Sequence, residues 1–378
     1  MSQPAVLFLL DWQPSTWSTR EEFFRQLSGA IAQQGITPIL TLSGDIPQEI
    51  RKRFEDAGAQ VATHSYEQPL RYWAYVWRQA RKYDVLLVQL RFFHYFTLLQ
   101  WMCRLSGMTQ IILTEANSGE WSPRRSWKSE LVRLRAAIAC WPVRKFIAVS
   151  EFIKARLIAV GLRETRIGVV YNGIDTGSYL PDRLIENEFS TETGTFLILF
   201  ASSLLEWKRP DLAISVCSEL VRRGVKVKLL MAGSGPMQLS LETMVVDLGI
   251  QNHVVWLGHR ELQSVFPGVD LFLHTSKGEA FGNVLVEAMS CGIPIVATRS
   301  GATPEVIEEG ITGLLIDPGV NEIERMADAI QSLWIDSNRR AVMGTAGVHH
   351  ASKFTTKKCV QNTLSVYSEI TGNRVRST

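Results

Sequence analysis

The chain has 378 residues, of which 46% are hydrophobic and 20% are charged, and its formal net charge at pH 7 is +3. This length suits two α/β domains rather than one core, and the composition excludes an intrinsically disordered chain. We expect no nucleic-acid partner.

Cysteine usage and hydropathy exclude further classes. The five cysteines are scattered singly without a CxxC pair, so neither a zinc site nor a disulfide framework is predicted. The longest apolar run, Phe92–Cys103, has about half of the roughly 20 residues that a membrane span needs. The N-terminus lacks the basic start and small-residue cleavage site of a secretory signal. We therefore expect a cytoplasmic protein.

Short apolar runs alternate with longer amphipathic segments in the first half. Strands are predicted at Val6–Leu10, Pro38–Thr41, Val85–Gln89, Ile111–Thr114 and Phe146–Val149. Helices are predicted near Glu21–Gln34, Pro47–Ala57, Leu70–Lys82, Ser126–Cys140 and Glu151–Ala159. This alternation is typical of a parallel sheet that helices cover on both faces.

The second half repeats the same scheme after a polar linker at Tyr179–Thr195. Its strands are predicted at Phe196–Ala201, Lys226–Ala232, Val254–Leu257, Leu271–His274, Ile293–Ala297 and Gly313–Ile316. The predicted domains are 1–185 and 186–355, and a C-terminal helix in 356–378 is expected to pack back on the first domain. Two doubly wound domains joined in this way form a cleft at the carboxyl ends of their strands.

The segment Lys277–Met289 concentrates the candidate chemistry. Gly278 and Gly282 permit unusual dihedral angles and a close backbone approach. The helix that follows would present its N-terminus to a diphosphate, because N–H groups and the helix dipole favour negative charge there. Glu279 precedes this helix, and Glu287, one turn inside it, can accept hydrogen bonds from ribose hydroxyls. Spacing alone fits an ordinary strand–loop–helix unit with solvated carboxylates equally well.

Several further motifs in the same order resemble the retaining glycosyltransferases of the GT-B fold, family 4. The resemblance covers roughly Ala148 to Ile316, and its motifs are weak singly but specific together. They are Ala148-Val149-Ser150, Val169-Val170-Tyr171-Asn172-Gly173-Ile174-Asp175, Glu206-Trp207-Lys208-Arg209-Pro210, Ala232-Gly233-Ser234-Gly235-Pro236, Val255-Trp256-Leu257-Gly258, Glu279-x7-Glu287 and Ser300-Gly301-Ala302-Thr303-Pro304-Glu305. The fold that the resemblance implies is α/β, with two Rossmann-like domains facing across a cleft.

The resemblance also implies roles for matched positions. Lys208 resembles the residue that neutralises the donor diphosphate, Glu279 the glutamate beside the transferred sugar, and Glu287 the ribose-binding glutamate. The other donor-side positions are implied to contact phosphate, sugar hydroxyls or the base: Gly233, Gly235, Arg260, Phe281, Gly282, Asn283 and Val284. The implied co-substrate is a UDP- or GDP-linked sugar, without a cofactor. No DxD motif occurs, which matches a metal-independent enzyme.

Three positions depart from the family pattern. Ser203 stands where an arginine commonly shares the phosphate, and Arg209, next to Lys208, either compensates or is solvated. The segment Pro14–Thr19 lacks the usual glycine pair. Ala116 or Asn117 replaces a histidine, so Glu115, Asn117 and Glu120 are candidate contacts to the acceptor or the donor sugar, although Glu115 is as well explained as the cap of a turn.

Other candidates lie toward the acceptor side and the surface. Asp11 and Trp12 end the first strand and are expected to face the acceptor. Basic and tryptophan residues mix between Arg124 and Lys145. This suits peripheral contact with anionic lipid or with a phosphate-bearing acceptor, and a solvated helix face explains it as well.

The predicted function is transfer of a hexose-type sugar to a glycan or lipid-linked acceptor, in bacterial surface polysaccharide or glycolipid assembly at the inner face of the membrane. Three alternatives stay open: a non-catalytic nucleotide-sugar-binding partner protein, a sugar-nucleotide hydrolase or epimerase, and a Rossmann oxidoreductase. The last lacks a GxGxxG turn after the first strand.

Overall fold

A computed structural model describes residues 2–10, 12–64, 68–91, 98–118, 127–179 and 194–377, with the side chains of 127–132 and 135 excepted. The chain divides into two compact units. Unit 1 comprises residues up to Asn117, then Trp121–Gly173 and Thr355–Thr378; unit 2 comprises Ser118–Glu120 and Ile174–Phe354. The chain therefore crosses between the units at residues 173 and 354, compared with 185 and 355 in the sequence prediction.

Unit 1 is built on a seven-stranded parallel sheet with the strand order β3-β2-β1-β4-β5-β6-β7. Its strands are β1 Pro4–Leu9, β2 Thr37–Leu42, β3 Gln60–Thr63, β4 Asp84–Arg91, β5 Ile111–Glu115, β6 Lys145–Ala148 and β7 Ile167–Val169. Its helices are α1 Thr19–Ala32, α2 Gln48–Asp56, α3 Pro69–Lys82, α4 Leu99–Leu105, α5 Trp127–Cys140, α6 Glu151–Ala159 and the short 3-10 helix Glu164–Arg166. The central strands are continuous apolar runs because helices cover both faces of the sheet.

Unit 2 is built on a six-stranded parallel sheet with the order β10-β9-β8-β11-β12-β13. Its strands are β8 Phe196–Ala201, β9 Val227–Ala232, β10 Val254–Gly258, β11 Leu271–His274, β12 Ile295–Thr298 and β13 Gly313–Ile316. Its helices are α7 Pro210–Arg222, α8 Gln238–Asp247, α9 Asn283–Ser290, α10 Thr303–Val306, α11 Glu322–Ile335 and α12 Ser337–Ala351. Short 3-10 helices lie at Thr176–Ser178, Glu206–Lys208, Gln251–His253, Leu262–Ser264, Phe266–Gly268 and Ser352–Phe354.

The last helix, α13 (Thr356–Thr371), belongs to unit 1 although it follows unit 2 in the chain. Leu364 and Tyr367 of α13 are fully buried in the unit 1 core, together with Val375 beyond its end. The C-terminal segment is therefore part of the first hydrophobic core.

The predicted α/β class with two doubly wound parallel sheets is confirmed. All five cysteines are buried free thiols, so the expectation of no disulfide framework also holds. Within the described ranges, no helix has both the length and the apolar character that a bilayer span requires.

Candidate functional site

Two loops meet where the strand order of the second sheet reverses, between β8 and β11. The order of the strands changes direction at this pair, and ligands of open α/β sheets bind beyond the carboxyl ends of such strands. One loop follows β8 and carries Lys208; the other follows β11 and carries Glu279. The Thr275 hydroxyl is 2.8 Å from the backbone oxygens of both Lys208 and Arg209. It therefore links the two loops by a hydrogen bond.

Lys208 and Glu279 form an ion pair at this position, with 2.6 Å between Lys208 Nζ and Glu279 Oε2. The two side chains are only 14% and 8% exposed, so solvent screens the pair weakly. The ammonium also lies 4.2 Å from the centroid of the Trp207 ring, where a cation is attracted to the π face.

The surroundings of Glu279 keep its carboxylate ionised. Burial alone would raise the pKa of Glu279, but the charge of Lys208, the neighbouring His274 and hydrogen bonds from Lys208 and Ser118 outweigh it, so the pKa lies below its usual value. Burial lowers the pKa of His274 to about 4, which leaves its imidazole neutral. His274 Nε2 is 3.6 Å from Glu279 Oε2 and, in the part of the chain that the structure describes, has no hydrogen-bond partner.

Ser118, which groups with unit 2, is a member of this site that the sequence did not single out. Its hydroxyl donates to Glu279 Oε1 at 2.9 Å and accepts from the Ala280 N–H at 3.0 Å. It therefore orients the carboxylate and the backbone of the Glu279 loop at once.

The Ser300–Thr303 turn supports the Glu279 loop from the other side. The Ser300 hydroxyl accepts from the Gly278 N–H at 2.6 Å, and the Ala302 N–H donates to the Glu279 carbonyl at 2.8 Å. Gly301 has φ +59°, and a Cβ built on it would lie 2.3 Å from that same carbonyl oxygen. The turn therefore requires glycine at position 301.

The loop delivers the N-terminus of α9 to the site, as predicted from the glycine pattern. Gly282, the residue before the helix, has φ +88°, and no side chain caps the helix. Phe281 is buried against Phe354, with 5.5 Å between the ring centroids, so only its backbone is available to a ligand. Asn283 and Val284 occupy the first turn and are partly exposed.

Glu287, one turn into α9, is buried and accepts a hydrogen bond from Tyr179. Burial raises the pKa of Glu287 to about 7, and the Tyr179 hydrogen bond only partly offsets this rise. Tyr179 is the second residue of this site that the sequence missed, because it stands at the start of the segment interpreted as a linker.

The remaining donor-side candidates lie beyond the ends of β8, β9 and β10. Gly233 and Gly235 let two loops pack backbone against backbone: a Cβ on Gly233 would lie 1.9 Å from Ser202 O, and one on Gly235 2.6 Å from Leu204 O. Ser203 and Arg260 are exposed on the loops after β8 and β10. The two glycines thus have a packing role in addition to any contact with a nucleotide.

Arg209 forms an ion pair that the sequence analysis did not predict. Its guanidinium forms a bidentate pair with Glu322 at the start of α11, with N–O distances of 2.8 and 3.0 Å, and its side chain is 17% exposed. It is therefore not a solvated side chain, because Glu322 engages its guanidinium. The pairing is explained by geometry, since a planar guanidinium matches a carboxylate with two parallel hydrogen bonds.

The acceptor-side candidates all belong to unit 1. Asp11 lies outside the described residues. Trp12 is 8% exposed; its indole N–H donates to Glu21 at 3.0 Å and its ring packs on Phe24. The structure therefore places Trp12 in the core.

Glu115 and Asn117 lie at the carboxyl end of β5. A Glu115 carboxylate oxygen accepts from the Asn117 N–H at 2.7 Å, which is the turn cap considered from the sequence, and Arg156 donates to the Asn117 carbonyl at 2.9 Å. Burial raises the pKa of Glu115 to about 7, with Asn117 and Arg156 opposing the rise.

No cluster of three or more metal-ligating side chains occurs among the residues that the structure describes. Residues 180–193 of the linker, Glu120 and much of the basic stretch, including Arg124 and Arg125, lie outside those residues.

Family models match both halves of the chain. Residues 21–178 match the family described as Glycosyltransferase Family 4, and residues 182–350 match Glycosyl transferases group 1. A D-inositol 3-phosphate glycosyltransferase of Corynebacterium efficiens is 32% identical over 220 residues, which is 54% of this chain and 51% of that protein. A GDP-mannose-dependent alpha-(1-6)-phosphatidylinositol monomannoside mannosyltransferase of Mycolicibacterium smegmatis is 30% identical over 216 residues, 54% of this chain and 56% of that protein.

Among solved structures, HepE of Anabaena in complex with UDP and glucose superposes with a TM-score of 0.78 at 23% identity, covering 97% of this chain and all of the other. This likeness concerns the fold. The chain spans about half the length of the curated relatives that it matches.

Proposed function

Because the chain belongs to the group 1 glycosyltransferases of the GT-B fold, we propose that it transfers a hexose-type sugar from a nucleotide-sugar donor bound by unit 2 to a hydroxyl group of an acceptor. The observation that carries the proposal is the assembly of Lys208, Glu279 and the N-terminus of α9 at the strand-order reversal of the second sheet. Glu287 lies one helical turn behind them.

The leaving group of this reaction is a nucleoside diphosphate, which gains negative charge as its bond to the sugar breaks. The N-terminus of α9 offers a positive dipole end, and Lys208 offers a cation. An ammonium group has three N–H donors, so Lys208 can contact a phosphate oxygen while it keeps Glu279. We propose that this pair of groups stabilises the departing diphosphate without a metal ion.

The sugar itself becomes positively charged, with oxocarbenium character, in the same transition state. Glu279 is ionised and fixed by Lys208 and Ser118, which suits it to stabilise that positive charge. We propose retention of the anomeric configuration, and this rests on the family resemblance of the Glu279-x7-Glu287 element.

Glu287 is proposed to accept hydrogen bonds from the donor ribose. A ligand hydroxyl at the Glu287 carboxylate would join Tyr179, the residue whose side chain already donates there. The fit explains why a carboxylate is retained at a buried position, where its desolvation is otherwise unfavourable.

For the acceptor, the relatives suggest a class. The Corynebacterium protein is named for inositol 3-phosphate and the Mycolicibacterium protein for a phosphatidylinositol mannoside, so both names specify a phosphate-bearing acceptor. We propose an acceptor of this kind, glycan or lipid-linked, used in bacterial surface polysaccharide or glycolipid assembly with the enzyme peripheral to the cytoplasmic face of the membrane.

Nucleotide binding tests the donor site directly. Calorimetry with UDP, GDP and ADP and their sugar conjugates should give a response to one nucleotide that EDTA does not remove. Lys208→Met and Glu287→Gln should each weaken that binding by about tenfold or more, since each removes a hydrogen bond to a charged group.

Matched controls come from the same unit. Lys226→Met changes an exposed lysine before β9, at the opposite edge of the sheet, and Glu219→Gln changes a carboxylate of α7 that pairs with Arg222 and Arg223. Both should bind like the unmodified protein. Equal losses in the controls, or no response to any nucleotide by a protein that melts cooperatively, would contradict the donor site.

The non-catalytic nucleotide-sugar-binding protein is the second candidate, and one observation favours it. Arg209 pairs with Glu322 in the ligand-free protein, and Ser203 stands where an arginine commonly shares the phosphate. This candidate predicts donor binding without transfer to any phosphate-bearing acceptor and without release of free sugar. Product analysis with the bound donor therefore separates it from the enzyme, and released sugar without an acceptor would indicate a hydrolase.

A further inference from the structure

A cavity of about 640 Å³ opens on unit 1 at the amino-terminal edge of its sheet. Its wall includes the residues just before β5, β6 and β7, namely Gln110, Arg144 and Arg166, and α4 adds Arg104. Ligands of doubly wound sheets bind at the opposite, carboxyl edge. This cavity is therefore distinct from the donor site and from the acceptor-side residues named above.

The cavity is strongly basic. Arg104, Arg144, Lys145 and Arg166 line it, and Glu369 is the acidic residue on the wall. Glu369 pairs with Lys145 at 2.8 Å. Within the described part of the chain, no acidic side chain pairs with Arg104, Arg144 or Arg166. Three cations thus face the cavity without a protein counter-charge.

Arg166 is the deepest of these cations. It is partly buried, its guanidinium donates to the Cys140 carbonyl at 3.1 Å and it lies 5.4 Å from the Phe146 ring centroid. Burial lowers the pKa of Arg166, and the neighbouring cations Arg163 and Arg144 lower it further. An anion in the cavity would relieve this repulsion.

One further feature describes the ligand. Trp141 forms another part of the wall; it is 62% exposed and stacks on Trp101 with 5.5 Å between the ring centroids. Exposed tryptophan beside basic residues is typical of contacts with a lipid interface.

We propose that this cavity binds a phosphate group, with Arg104, Arg144 and Arg166 as the residues that contact it. The same chemistry is offered by an anionic lipid headgroup and by a free polyol phosphate. The site is independent of the proposed sugar transfer, because all of its residues belong to unit 1 and none belongs to the donor site.

The test uses the full chain and two probes of matched chemistry. Phosphatidylcholine vesicles with and without phosphatidylglycerol report the lipid source by flotation, and glycerol 3-phosphate reports the soluble source by calorimetry. Arg104→Gln combined with Arg144→Gln should lower binding of the effective probe by at least about tenfold, because two charge-assisted contacts are lost. Nucleotide binding by unit 2 is measured in parallel and should not change.

The matched control removes two other exposed arginines of unit 1, Arg53→Gln with Arg376→Gln. This control has the same net charge as the Arg104/Arg144 variant, so binding by general electrostatic attraction would weaken equally in both.

The outcomes are distinct. Selective loss of flotation in the Arg104/Arg144 variant supports a lipid headgroup, and selective loss of glycerol 3-phosphate binding without flotation supports a soluble ligand. Binding of neither probe by the unmodified protein, or equal weakening in the control, overturns the proposal.

Discussion

At the scale of single residues, the Lys208–Glu279 pair is the centre of the candidate site. Each partner is a charge that would be unfavourable in this environment alone, and the pair is satisfied further by Ser118 and Trp207. The ligand-free protein thus holds Glu279 ionised and both proposed catalytic side chains in place. We therefore expect the diphosphate of a donor to contact a Lys208 ammonium group that is already in position.

Glu287 gives a pH-dependence prediction at the same scale. Because burial raises its pKa from 4.5 to about 7, the folded protein holds a proton between those values that the unfolded chain has released. Stability therefore falls as pH rises from about 4.5 to about 7. Glu287→Gln stays neutral, so urea unfolding should show the variant to be more stable than the unmodified protein at pH 8 and similar near pH 4.5.

Burial also raises the pKa of Glu115 to about 7, so Glu115 makes stability fall over the same pH range. Glu287→Gln should therefore remove only part of the pH dependence of stability. The pKa of Glu219 is lowered to about 2 by hydrogen bonds from Arg222 and Arg223, so Glu219→Gln should leave the slope above pH 5 unchanged. An unchanged slope in Glu287→Gln would show that Glu287 is ionised in the ligand-free protein.

At the scale of elements, the site is made by loops rather than by regular structure. The Ser300–Thr303 turn, the Glu279 loop and the loop after β8 are joined by hydrogen bonds between backbone groups and short hydroxyl side chains. Glycine at Gly301 permits the closest of these approaches. A change in the backbone of the Ser300–Thr303 turn should therefore change the position of Glu279.

Gly301→Ala tests this coupling, and Gly310→Ala is its matched control. Both glycines have positive φ, +59° and +75°, so alanine at either costs about 1–2 kcal/mol in backbone strain. Only at Gly301 would the new Cβ also meet a backbone oxygen, that of Glu279 at 2.3 Å, whereas nothing lies within 4 Å at Gly310. Thermal unfolding should show a larger loss for Gly301→Ala, and calorimetry should show weakened nucleotide binding in that variant alone. If the two substitutions have equal effects on stability and on nucleotide binding, the Ser300–Thr303 turn does not influence the candidate site.

At the scale of the whole molecule, the chain returns to its first unit after it has completed the second. The helix α13 buries one face in the unit 1 core, where Val360, Leu364 and Tyr367 contact elements from the beginning of the chain. The first unit is therefore incomplete until the last residues have been made.

Leu364→Ala should therefore destabilise the protein by about 2–5 kcal/mol, because a fully buried leucine is replaced by a cavity. The neighbouring Ser365 is exposed on the same helix, so Ser365→Ala should change the unfolding free energy by less than about 0.5 kcal/mol. Chemical denaturation monitored by circular dichroism measures both. A small effect of Leu364→Ala would mean that α13 contributes little to the core.

The sequence predicts best those features that are specified by residues close together in the chain. The central strands were predicted within one or two residues, because continuous apolar runs mark strands buried on both faces. The two strands that were missed, Gln60–Thr63 and Ile167–Val169, are the edges of the first sheet. Edge strands are short and partly exposed, so no apolar run identifies them.

The sequence by itself determined the repeated α/β scheme and the strand–loop–helix unit at Lys277–Met289, through burial periodicity and glycine placement. The family resemblance came from the order of its motifs between Ala148 and Ile316. Only the tertiary structure decided that Ser118 and Tyr179 join the site, that Arg209 belongs to Glu322, and that Trp12 lies in the core. Most of those contacts join residues far apart in the chain, and a polar side chain finds its partner through the packing of whole elements, which no local pattern specifies.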